Sequence, residues 1–142
     1  MAGCDSGYFC IECGVYVEDV LESELYLRYV LGEVPMEALL TLPDRHIRCN
    51  PGLAQYIVHD SFEPLPDDRP ESDKRRQDPA QVAAHEDLVT RAWLRQQSLP
   101  HLGIDVADYP LPGRKPPTAQ EFFGAGGVEQ DLEMEPDGRI FR

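Results

Sequence analysis

Cys10 and Cys13 frame a CxxC, and His46 and Cys49 frame an HxxC; thirty-two residues separate the two pairs. Two-residue spacing lets a tight turn aim two donor atoms at one ion. Three thiolates and one imidazole complete a tetrahedral zinc site with no position left for water. A cysteine-rich tetrahedral set suits zinc better than hard, octahedral metals. The expected ligands are therefore Cys10, Cys13, His46 and Cys49, and the expected cofactor is a structural Zn2+. Cys4 is an alternative fourth ligand, giving an all-cysteine set that could hold zinc or iron. His59 is a further candidate but needs the chain to fold back. The plain alternative is a set of small cysteines and a surface histidine.

Other chemistry has weaker support. A redox CxxC needs neighbours that lower a thiol pKa, and Glu12 inside the motif with Glu18 nearby works against it. A metal-dependent hydrolase or nuclease would require an open coordination position with His59 or Asp60 near the metal. Lys74-Arg75-Arg76 is a short basic cluster between Asp73 and Asp78 and reads as a solvated segment. No phosphate-binding glycine loop or nucleophile elbow is present.

Both metal pairs need elements to hold them. Tyr8-Phe9 and Val15-Tyr16-Val17 read as short strands around a first knuckle, with Gly14 supplying turn freedom. From Asp19 to Leu31, Leu21, Leu25 and Tyr29 recur at four-residue spacing with Tyr26 and Val30 beside them, predicting a helix that Gly32 ends. Glu22, Glu24 and Arg28 fall on its other faces. Pro35 opens a shorter helix to Leu40, and Pro43 stops it. Asn50-Pro51 reads as cap and first residue of another helix, with Leu53, Tyr56 and Ile57 facing inward. Asp78-Pro79-Ala80-Gln81 starts a longer helix to about Gln97, halted by Pro100, with Val82, Leu88, Val89, Ala92 and Trp93 as its apolar side. Thr118-Ala119-Gln120-Glu121 is a capping box before Phe122-Phe123, which either tuck back or meet a partner. Pro136-Asp137-Gly138 is a turn that could close a terminal hairpin.

The expected organisation is a zinc-binding module over 1–60, a charged Pro-rich linker over 61–78, a helix packed on the module over 79–99, and an extended tail over 100–142. The fold class expected is α+β, with added helices and a Pro/Gly-rich C-terminal extension. The 142 residues carry Pro 13, Gly 11 and a net charge of −13. Residues 1–60 hold three Arg and no Lys against ten acids. That field repels phosphate backbones and anionic lipid, so nucleic acid and membrane are poor partners and another protein is the expected one. Four cysteines with no signal peptide and no long apolar run place the chain in the cytoplasm by expectation.

Residues 8–58 resemble the treble-clef zinc fingers in motif order: Cys10/Cys13 at a knuckle, then His46/Cys49 ahead of the helix beginning at Asn50. The resemblance implies a structural zinc and leaves the function open, since treble clefs serve DNA-binding, ribosomal, nuclease and adaptor proteins alike. The long insert between the pairs departs from compact members. The expected function is that of an interaction adaptor or accessory subunit. The alternatives are the metal-dependent hydrolase above and a nucleic-acid-binding transcriptional regulator, which needs Arg28, Arg45 and Arg48 to converge. For so small a module zinc would be a condition of folding.

Overall fold

A computed structural model describes residues 9–124; Cys4 and the hairpin expected around 136–138 lie outside them. Helices α1 (Glu24–Val30), α2 (Ala38–Thr41), α3 (Pro51–Ala54), α4 (Pro79–Leu102) and α5 (Ala119–Phe123) carry the regular structure. The β contribution expected beside the cysteines amounts, among the described residues, to isolated antiparallel bridges: Phe9 with Tyr16, Ser23 with His46 and His59 with Phe62.

The helix expected from Asp19 forms in two pieces. Asp19 caps a 3-10 turn, Val20–Glu22, through the Leu21 amide at 3.0 Å. Ser23 is extended, and its hydroxyl accepts from the Tyr26 amide at 3.0 Å to cap α1. Ser23 cannot be helical because its backbone pairs with His46, and the neighbouring Glu24 amide donates to the Arg45 carbonyl at 2.9 Å. A four-residue apolar repeat runs through such a break without marking it. At the other end, Gly32 at φ 82° closes α1. Its amide reaches Tyr29 O and the Glu33 amide reaches Arg28 O, both at 2.9 Å, which is the Schellman arrangement.

Two other helix ends differ from expectation. The helix after Asn50 is a single turn, and the Asn50 side chain does not cap it but donates from Nδ2 to Glu24 Oε2 at 3.0 Å. Tyr56 and Ile57 are buried beyond it in non-helical chain. α4 runs through Pro100 and stops at Gly103, which takes a left-handed conformation at φ 64°. Pro100 falls in the last turn, where its missing N–H forfeits one bond without ending the helix.

α1 packs on α4 and is apolar nearly all round, as a buried helix must be. Leu27, Val30 and Leu31 join Val89, Ala92, Trp93 and Leu99 of α4, with Ile57, Phe62 and Leu111, in one core. Leu25 and Tyr29 face a second, smaller cluster with Val34, Ala38 and Leu39, against which Phe122 packs. Phe122 therefore tucks back, while Phe123 is 43% exposed. The chain after α4 returns to α1: Leu111 N donates to Val30 O at 2.9 Å, and Arg114 Nε to Leu31 O at 2.8 Å.

Residues 61–78, linker-like in composition, lie against this body. Phe62 meets Trp93 edge-on at 5.4 Å between ring centroids. Gln55 bonds the backbone of Ser72 and Lys74. Lys74 pairs with Glu86, and Arg75 with Asp68 and Asp73. Few apolar groups are needed where polar side chains bind the backbone directly.

Candidate metal centre

The first knuckle is a tight turn: the Gly14 amide donates to Cys10 O and the Cys10 amide to Val15 O, each at 2.9 Å. Gly14 sits at φ 77°, a conformation that strains any residue bearing a Cβ. The turn aims Cys10 inward and leaves Cys13 exposed. The second pair lies on a 3-10 turn, Ile47–Cys49, whose buried Ile47 anchors it in the core.

These turns bring the four expected ligands together. One donor atom from each of Cys10, Cys13, His46 and Cys49 lies within 4.8 Å of all the others. His46 Nδ1 is 3.5 Å from Cys13 Sγ and 3.7 Å from Cys49 Sγ. Tetrahedral zinc with arms of about 2.3 Å to sulfur and 2.0 Å to nitrogen separates such donors by about 3.6 Å. The four residues can form a metal site.

The surroundings fix which imidazole nitrogen faces the sulfurs. His46 Nε2 lies 2.8 Å from the Tyr16 carbonyl, which can only accept, so Nε2 carries the proton and Nδ1 is left with its lone pair toward the thiols. Cys10 Sγ accepts from the Glu12 amide at 3.3 Å and from the His46 amide at 3.4 Å, so one sulfur ties both turns together.

The sulfurs and the His46 ring shift one another's protonation. Burial pushes the Cys10 thiol up, but the amides of Cys13, His46 and Glu12 and the His46 ring outweigh it and hold it at about 6. Burial, then the neighbouring Cys10 and Cys13 sulfurs, push Cys49 up to about 12. For His46, burial favours the neutral ring, yet Cys10, the Tyr16 carbonyl and Glu22 prevail and raise its pKa. Ionised Cys10 thus disfavours ionisation of Cys49 beside it.

A polar frame, unmarked by any motif, holds the turns in register. Asp44 is 4% exposed and accepts from Ser23 Oγ at 2.7 Å, the Leu25 amide at 3.2 Å and the Arg45 amide at 2.7 Å. Its carbonyl receives the Ile11 amide at 3.1 Å, so one residue touches the first knuckle, α1 and the approach to the second. Arg45 pairs with Glu12 at 2.9 Å and with Glu24 at 3.5 Å. Glu24, assigned by periodicity to an outer face of the helix, is buried between Arg45 and Asn50. The available sequence signal was Ser23-Glu24 ahead of the apolar run, a cap followed by an acid.

The remaining candidates fall elsewhere. His59 and Asp60 are not in the cluster and line a separate groove with Lys74 and Glu86; His59 Nδ1 accepts from the Ser61 amide at 3.0 Å. Arg28 pairs with Glu33 and Arg45 with Glu12 and Glu24, so two of the three arginines that nucleic acid would need are neutralised in place. No helix of the described residues is long and apolar enough to cross a membrane. No family model, curated protein or solved structure matches the chain.

Proposed function

We infer that Cys10, Cys13, His46 and Cys49 bind one Zn2+ in a closed, structural site, and that the chain serves as an adaptor or accessory subunit for another protein. The carrying observation is the convergence of four soft donors within 4.8 Å, with His46 oriented by a carbonyl behind it. Two knuckles followed by the α3 turn support a treble-clef-like, α+β reading of the centre, with helices in place of the usual hairpin. A four-ligand set leaves no coordination position for a substrate, which favours binding over hydrolysis. Phe9, Ile11 and Val15 at the first knuckle are 58–67% exposed, an apolar tip of the kind protein partners cover. The acidic charge favours a protein over nucleic acid.

Elemental analysis of the purified chain tests the metal. One zinc per chain is expected, lost on Cys10→Ser, Cys13→Ser or Cys49→Ser and retained on Cys4→Ser. Zinc-free protein, or zinc that survives Cys49→Ser, would overturn the assignment.

A further inference from the structure

Beside the metal centre the surface opens into a cleft of about 540 Å3, within the range of about 300–1,000 Å3 that small-ligand pockets occupy. Leu21, Ile47, Phe62 and Trp93 give it apolar walls. Cys13, His46 and Cys49 border it as well. Arg48 and Glu22 are its charged lining groups. Arg48 lies over the Phe62 ring, 4.7 Å from the centroid, and donates from Nη1 to the Glu63 carbonyl at 3.1 Å. Arg28, Arg45, Arg69, Arg75 and Arg91 each face a carboxylate. Arg48 faces none among the described residues, nor do Arg76, Arg95 and Arg114, but of these four Arg48 alone lines the cleft.

We propose that this cleft binds a small apolar monocarboxylate, an alkyl or aryl acid, with its carboxylate on Arg48 and its body against Phe62 and Trp93. Charge selects the head group. A guanidinium with free donors at the mouth of an apolar cleft pairs with a planar carboxylate in two parallel bonds. Phe62 links the two halves of the site, because it lies under Arg48 and meets Trp93 edge-on. Glu22, 3.8 Å from His46 Nε2, limits the ligand to one negative charge and disfavours dianions such as phosphate esters. The cleft rests on the zinc reading, since three of the proposed ligands border it.

Trp93 is the chain's single tryptophan and so reports on the cleft directly. The full chain is titrated with decanoate below its micellar range, and with decanol as the uncharged control, after zinc content has been measured on the same sample. Decanoate is expected to change Trp93 emission saturably, and decanol to bind about tenfold more weakly. Arg48→Gln should erase that difference. Glu22→Gln should tighten decanoate about threefold, an opposite shift that decides the matter if Arg48→Gln folds poorly. Equal affinity for acid and alcohol, or a Trp93 change that follows protein concentration without ligand, as a second copy in the cleft would give, overturns the proposal. One zinc per chain with no saturable response overturns the cleft alone; absence of zinc overturns the metal reading and the cleft with it.

Discussion

Around the first knuckle the chain has almost no side-chain core: between residues 9 and 18 only Cys10 and Val17 are buried, and it meets the second turn through amide-to-sulfur bonds, Asp44 and the Arg45–Glu12 pair. Across α1 and α4 the opposite holds. Leu27, Val30, Val89 and Ala92 are wholly buried against one another. Apolar burial of this kind is non-directional and independent of any ligand, whereas a sulfur cluster is stable only with a cation to hold it. The two regions should therefore fail separately, and Ser23, bonded to both, marks the seam between them.

The largest effect expected is that of metal removal, because apparent zinc binding in structural sites is on the order of 10 kcal/mol. Chelation or Cys49→Ser should speed amide exchange at Cys10, Gly14 and Asn50 while Val89–Leu99 stay protected. That is narrower than dependence of the whole 1–60 stretch on the metal, since α1 buries its apolar residues against α4 and is tied to the second knuckle mainly by polar bonds through Ser23, Glu24 and Asp44. Equal loss of protection in α4 would show one cooperative unit and break the comparison. From the other side, Leu27→Ala removes a fully buried side chain and should cost about 3 kcal/mol in denaturant unfolding. Zinc stoichiometry should not change; a variant that also loses its zinc would join the two regions.

The two regions were not equally legible in the sequence. Ligand spacing is a local property of the chain, so Cys10, Cys13, His46 and Cys49 could be read together before any fold was known, as could the capping box at Thr118 and the core placement of Trp93. The frame behind the ligands could not. Asp44 and Glu24 are single acids in an acidic chain, and only tertiary contact distinguishes them from Glu22 or Glu33, which stay exposed. Periodicity likewise passed through Ser23, because the force that breaks the helix there is a bridge to His46, distant in sequence. In 61–78 composition is silent for a related reason: Asp67, Ser72 and Gln55 hold that segment through polar bonds that hydropathy does not register.

Asp44 is where the comparison can be sharpened. Asp44→Ala leaves the Leu25 and Arg45 amides and the Ser23 hydroxyl without their acceptor, at a cost of about 2 kcal/mol. Because the Arg45 amide leads directly into His46, zinc affinity should also fall, by about tenfold, in competition with a chromophoric chelator. A stability loss with unchanged zinc affinity would make Asp44 a helix-capping residue alone.

The smallest effect expected lies in acid, in the loop that covers α3. Asp67 is 2% exposed and accepts from Arg69 Nε and Nη2, each at 2.9 Å, and from Ser72 Oγ. Bonds from the Arg69 guanidinium, and then from Ser72, outweigh its desolvation and hold the carboxyl well below its usual range. A carboxyl depressed in the native state contributes stability that is complete above its unfolded value, about 3.9, and fades as pH falls toward the native one. Thiolates of a zinc site protonate before that window is reached, so unaltered chain and Asp67→Asn are compared after metal removal. The unaltered chain should lose stability more steeply than Asp67→Asn between about pH 4 and 2. The tie to the knuckles is Gly52, just beyond Cys49, where an added Cβ would stand 3.1 Å from Arg69 Nη2 and 3.5 Å from Asp67 Oδ2. If the acid slopes coincide, the loop has already left α3 with the metal, and the knuckle region extends to residue 73.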